Sequence, residues 1–231
     1  MKSFKSRQSG EGADRSLLRE RAYRELKSRI LGGQFERTPF LSTRGLATEL
    51  GMSLSPVRSA VERLENEGLL SIGPQRGIVV TNLTTSEIMD HFEVRQALET
   101  LVVGKLARKI SPGEVEQLRS NVAAYEKHLR KHQIEAFITC DSEFHLLLAE
   151  FAGNADIERV LRQLRDRIFR IVLRVIERVP QRMQASVDEH RHIVDLLEQG
   201  EGEHVALEMA EHLRRGLKTL VPGIVKDEWE S

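Results

Sequence analysis

The stretch CDSEFHLLLAEF, residues 140–151, places Asp141 and His145 four apart, and on a helix that spacing puts both side chains on one face. It is the face that runs through Ile134, Phe137, Ile138, Phe144 and Leu148, where a core would place carbon. Two later segments repeat the anomaly. His190 interrupts the stripe of Met183, Val187, Val194 and Leu197, and His212 falls on the face marked by Val205, Met209, Leu213, Gly216, Leu217 and Leu220. A carboxylate buried alone is costly, and a neutral imidazole still needs its ring nitrogens bonded. One divalent cation meets all four demands. Three imidazoles and a carboxylate suit Zn²⁺ best, and also Ni²⁺, Mn²⁺ or Fe²⁺ when water or a ligand completes five or six positions. A lone histidine on an apolar face is ordinarily a hydrogen-bonded core residue, so the metal reading rests on four inward donors together. The other five, His91, His128, His132, His192 and His204, are expected at the surface.

These donors need helices to hold them. After Thr81 the strand signals cease, and six helical segments cover residues 85–110, 112–131, 133–152, 156–179, 181–199 and 203–220. Their breaks fall at Ser111-Pro112, His132, Gly153, Pro180 and Gly200-Gly202. The front of the chain is built differently. Residues 1–14 are polar and rich in glycine and serine, which predicts a disordered tail. A helix over 16–31 buries Leu18, Ala22, Leu26 and Ile30; a second starts after Ser42 and ends at Gly51; a third runs from Ser55-Pro56 to Glu67-Gly68. Two short strands, LLSI and GIVVT, flank the turn GPQRG. The fold class is therefore mainly α: a winged helix-turn-helix over 15–82, then an all-α helical bundle over 83–222 and a tail over 223–231.

A chain of 231 residues can bury two cores, and its zero net charge hides a division between them. Residues 1–82 hold 14 Lys and Arg against 9 Asp and Glu, and the rest hold 21 against 26, so +5 faces −5. All eight histidines lie in the acidic part. The basic front suggests a module that faces nucleic acid. No run approaches a membrane span and the start lacks an apolar leader, so a soluble, cytoplasmic protein is expected. The single cysteine, Cys140, has no partner for an internal disulfide and reads as a buried bystander within an apolar helix. The arginines of RQLRDRIFRIVLRVIER form the solvated face of an amphipathic core helix, with Arg170 or Arg174 at a pocket edge.

Within the basic module, LSTRGLATELGMSLSPVRSAVERLENEGLL reads as helix, tight turn, helix. The second of these would enter the DNA major groove, where Arg58 in its first turns can donate two bonds to a guanine. Arg44, at the start of the preceding helix, can reach phosphate or base, and Arg76 in the wing can reach backbone or minor groove. The plainer alternative for each arginine is a solvated surface charge.

The first 80 or so positions resemble the winged helix of the GntR family of bacterial transcriptional regulators, on LSTRGLATELGMS, SPVRSAVERLENEGLL and the wing glycine Gly77. The resemblance implies operator contacts at Arg44 and Arg58 and phosphate contacts near Ser53 and Ser55. At Leu54 the sequence departs from relatives that read a guanine with arginine there; either the operator differs at that step or Arg63 compensates. The rear resembles the FCD domain, the helical ligand-binding half of one GntR branch, on DSEFH, on Glu189-His190 and on Glu211-His212-Leu213. Six rear helices are similar to the vanillate-regulator type. The resemblance implies a metal at Asp141, His145, His190 and His212, a small carboxylate or sugar-acid effector completing its coordination, and Arg95 of EVRQALE lining the cavity. An i,i+4 surface pair with Glu99 or Glu93 is the other reading of Arg95. Together these features imply a homodimer on a near-palindromic operator, with a sensor of the metal itself and, less favoured, a metal-dependent hydrolase as alternatives.

Overall fold

The computed structural model describes residues 5–35, 38, 40–73, 77–81 and 83–221, with side chains from residue 16 onward. Two compact units divide the chain, Met1–Asn82 and Leu83–Ser231. The first contains α1 (Lys5–Leu31), α2 (Thr43–Leu50), α3 (Leu54–Asn66), β1 (Leu70–Gly73) and β2 (Gly77–Val80). Helix α1 begins at Lys5, inside the stretch whose composition suggested a disordered tail. Composition reports whether a segment can bury apolar surface, whereas a helix already nucleated by a packed portion propagates at one hydrogen bond per added residue. Residues 1–4 and the tail from 223 lie outside the described residues.

Local signals place α2 and α3 as the sequence predicts. Ser42 caps α2 by accepting the Gly45 N–H at 3.0 Å, and Gly51 ends it in the left-handed region with φ 61°. Ala22, Leu26 and Ile30 of α1 close a core with Leu46, Ala47, Val57, Val61 and Leu64. Arg63 is drawn into this joint. Its guanidinium stacks 3.5 Å from the Tyr23 ring centroid and pairs with Glu20 at 3.0 Å and Glu67 at 3.3 Å. It lies roughly 140° around the helix from Arg58, and these contacts tie α3 to α1.

The antiparallel hairpin pairs Leu70 with Val80 and Ile72 with Ile78, and Leu41 adds a bridge to Ile78 through two N–H···O bonds of 2.8 Å. That bridge dictates the wing glycine. Gly77 has φ 70°, and a Cβ there would stand 2.7 Å from the Leu41 carbonyl oxygen. Gly77→Ala is therefore expected to destabilise the protein by about 1 to 3 kcal/mol. Urea unfolding checks this, and an unchanged midpoint would contradict the Leu41 contact.

The second unit is a bundle of α4 (Thr85–Leu106), α5 (Pro112–Arg130), α6 (Ile134–Ala152), α7 (Ala155–Arg178), α8 (Arg182–Glu198) and α9 (Gly202–Leu220). Thr84 with Glu87 and Ser111 with Glu114 form reciprocal capping boxes that start α4 and α5. Helix α6 is the hub: α4, α5 and α7 all pack against it, while α8 and α9 pack together and close the bundle against α5 and α4. Glycines let α4 and α9 approach closely, since a Cβ on Gly202 would meet the Gly104 carbonyl at 3.1 Å. Tyr125, Phe137, Ile138, Phe144, Leu148 and Ile193 are fully buried at the centre. Among the described residues no helix is long and apolar enough to cross a membrane.

Candidate functional site

The four inward donors meet. Asp141 and His145 come from adjacent turns of α6, His190 from α8 and His212 from α9, and all four are buried, His190 completely. One ligand atom from each lies within 4.8 Å of all the others. Nε2 of His190 sits 3.4 Å from Nε2 of His212 and 3.7 Å from Oδ1 of Asp141.

Two carboxylates behind the rings decide which nitrogens point inward. Oε2 of Glu189 lies 2.6 Å from Nδ1 of His212, and Oε2 of Glu99 lies 2.6 Å from Nδ1 of His145. Burial opposes ionisation of Glu99, but the Arg95 guanidinium and His145 outweigh it and hold the carboxyl at about 2. Burial also works against Glu189, and hydrogen bonds from His212 and Arg182 hold it at about 2 as well. Nδ1 of His212 donates to the Glu189 carboxylate, so Nε2 of His212 carries a lone pair into the cluster. Burial pushes His212 below the usual histidine range, with the nearby Glu189 offsetting part of the effect. His190 lies well below that range, driven down by burial and then by the neighbouring His212 and His145. Neither ring nitrogen of His145 has a hydrogen-bond partner among the described residues, although Nδ1 stands close to Glu99. Inward lone pairs beside the Asp141 carboxylate, with no donor answering His145, fit a divalent cation.

Arg182 and Arg215 hold Glu189 in turn, at 2.9 and 3.1 Å from its Oε1. Glu189→Gln is expected to weaken metal binding by about 10- to 100-fold, because the amide no longer fixes the His212 tautomer. Competition against a coloured chelator measures the affinity. Unchanged binding would mean that Glu189 only neutralises Arg182.

Asp141 and His212 of the cluster line a cavity with about 40 Å³ open to the centres of water molecules. Arg95, Asp141, Arg182 and His212 line the polar end, with Tyr125 and Ser186 beside them. The Tyr125 hydroxyl is 2.9 Å from Asp141 Oδ1 and 3.1 Å from Ser186 Oγ. Arg95 is paired with Glu99 through Nε at 2.7 Å, as one reading of the sequence had it, yet the pair is buried and not at the surface. Arg170 is buried too, but Arg95 and Arg182, not Arg170 or Arg174, edge the cavity.

Some residues fall elsewhere than sequence reasoning put them. His91 is buried, not at the surface, because it shares the inner stripe of α4 with Ile88, Phe92 and Arg95. Burial, then the Arg167 charge, pushes its imidazole down. Glu99, Glu189 and Arg182 were not singled out as functional. The only signal was adjacency: Glu99 one turn after Arg95, and Glu189 directly before His190. Cys140 is a free, buried thiol, raised by burial.

In the other unit, Arg44 on α2 and Ser53, Ser55 and Arg58 at the head of α3 are all exposed, as is Leu54. Ser53 is the N-cap of α3 without a side-chain capping bond. Arg76 lies outside the described residues.

Comparison with known proteins matches residues 18–80 to the bacterial regulatory proteins of the gntR family and residues 90–215 to the FCD domain. The HTH-type transcriptional repressor RspR of Escherichia coli (strain K12) is 26% identical over 198 residues, covering 85% of this chain and 86% of that one. The HTH-type transcriptional regulator YdhC of Bacillus subtilis (strain 168) is 29% identical over 147 residues, 63% of this chain and 66% of its own length. Among solved structures, E. coli McbR/YncC superposes with a TM-score of 0.72 at 21% identity, covering 89% of this chain and 97% of that one, a likeness of fold. A DNA-reading unit matched to one family model and a helical unit matched to another account for most of the length, and neither is an enzyme. The chain belongs to the GntR family of bacterial DNA-binding transcriptional regulators, with an FCD domain as its C-terminal unit.

Proposed function

We propose that this regulator responds to a small carboxylate bound beside a divalent metal. The observation that carries the reading is that Asp141 and His212, two members of the cluster with His145 and His190, line a cavity that also holds Arg95 and Arg182. Three neutral imidazoles and one carboxylate favour Zn²⁺, and a cation so held keeps positions for an anionic ligand. Arg95 then faces the carboxylate. In the first unit, Arg58 and Arg44 read bases and phosphates, with Ser53 and Ser55 on the phosphate backbone. Two copies joined through their FCD domains would present two such heads to a near-palindromic operator.

Ligand binding shifts operator affinity by coupling the two units. The ordinary range for such coupling is about 5- to 150-fold. Gel mobility shift of the DNA upstream of the chain's own reading frame, at fixed salt, checks it with metal-loaded protein in the presence and absence of a carboxylate panel. A shift that follows chelation alone, indifferent to every acid, would instead make the protein a sensor of the metal.

A further inference from the structure

Resting on that reading of the site, we propose that the effector is an aliphatic monocarboxylate, not a sugar acid or a dicarboxylate. Charge, hydrogen bonding and wall chemistry point the same way.

Charge comes first. The polar end of the cavity and the groups directly behind it contain two guanidinium ions, Arg95 and Arg182, and three carboxylates, Asp141, Glu99 and Glu189. That is one negative charge in excess, and a divalent cation turns it into one positive charge in excess. Arg215 also touches Glu189, but it is more exposed and carries its own partners, Glu208 and Glu211, at 3.0 and 3.1 Å. In a buried site an unmatched charge is costly, so one singly charged anion completes the balance. A dicarboxylate overshoots it, and a neutral sugar leaves it uncorrected.

Hydrogen bonding counts against a polyol chain. The Tyr125 hydroxyl is already bonded to Asp141 and Ser186, Nε of Arg95 to Glu99, and Nδ1 of His212 to Glu189. Nε of Arg182 is buried without a partner, a donor that a carboxylate would satisfy. Beyond that point the wall is carbon. Phe92, Val172, Val175, Ile176, Met183 and Leu213 line the rest of the space. The hydroxyls of a gluconate-like chain would leave water and find no partners there, whereas methylenes exchange water for side-chain carbon.

The test is calorimetric titration of full-length, Zn²⁺-loaded protein with acetate, butanoate, hexanoate, succinate and gluconate, with the melting midpoint as a second readout. Affinity is expected to rise about fourfold per methylene until the cavity is filled. Hexanoate should exceed acetate, succinate and gluconate by at least about tenfold. Val175→Thr, which keeps the shape and adds a hydroxyl to the wall, should weaken hexanoate several-fold and leave acetate and zinc content unchanged. Gluconate or succinate binding tighter than hexanoate, or affinity flat with chain length, overturns the aliphatic assignment while leaving a carboxylate effector standing. No acid binding to protein that retains its zinc overturns both. Should the variant fail to fold, the series on the unaltered protein decides.

Discussion

In metal-loaded protein, His190→Ala is expected to cut the bound divalent metal to less than about a tenth of its full complement, because one of four donors is lost from a buried site. The same change should remove the dependence of stability on metal. At roughly a hundredfold excess of free metal over its dissociation constant, binding to the folded state alone adds about 2.7 kcal/mol. For a chain of this size each kcal/mol moves the melting midpoint by about 2 to 4 °C, so chelation should lower the unaltered protein by roughly 5 to 10 °C. His190 is also packed face to face with Phe144 at 4.1 Å and is completely buried, so its deletion costs packing as well. Comparing both proteins with and without chelator separates the effects, since the packing loss persists in the metal-free state and the metal increment does not. A variant that still melts lower on chelation would show that the cation is bound elsewhere.

The second large effect concerns DNA. Arg58→Ala should weaken operator binding by about 5- to 150-fold and relax the preference for guanine at the base it meets, the loss of one bidentate contact. Because Arg58 is exposed, metal content and melting should not change. Leu54, one turn earlier on α3, gives a smaller and sharper signal. If α3 is the reading helix, the exposed Leu54 side chain would offer only carbon to the groove, where its counterpart would be the thymine methyl. Replacing thymine by deoxyuracil within a selected operator should cost affinity at one step per half-site, and Leu54→Ala should abolish that sensitivity. Affinity retained by Arg58→Ala at every base would remove α3 as the reading helix.

Local chemistry made much of the fold legible. Ser42 and Gly51 bracket α2, Pro112 and Gly153 mark helix limits, and the apolar spacing of α4 to α9 announces a bundle, because caps and periodicity act between residues a turn apart. The same logic carried the donors: Asp141 and His145 are four apart on an apolar stripe, and His190 and His212 each break one. What one helix cannot encode is its neighbour. Whether Arg95 and His91 face water or core depended on how α4 docks, and both proved buried.

From the sequence alone came the two-part division, the helical character of the rear part, the head of α3 with its arginine, and the quartet of candidate ligands. Only the tertiary structure decided that the quartet converges within 4.8 Å, that Glu99 and Glu189 stand behind two of its rings, and that Arg95 and Arg182 share a cavity with carbon walls. The physical reason is distance along the chain: His145 and Glu99 come from different helices, as do His190 and Asp141, and their meeting is fixed by packing of side chains far from the site. Periodicity tells which face of a helix is turned inward; packing alone tells what it meets there.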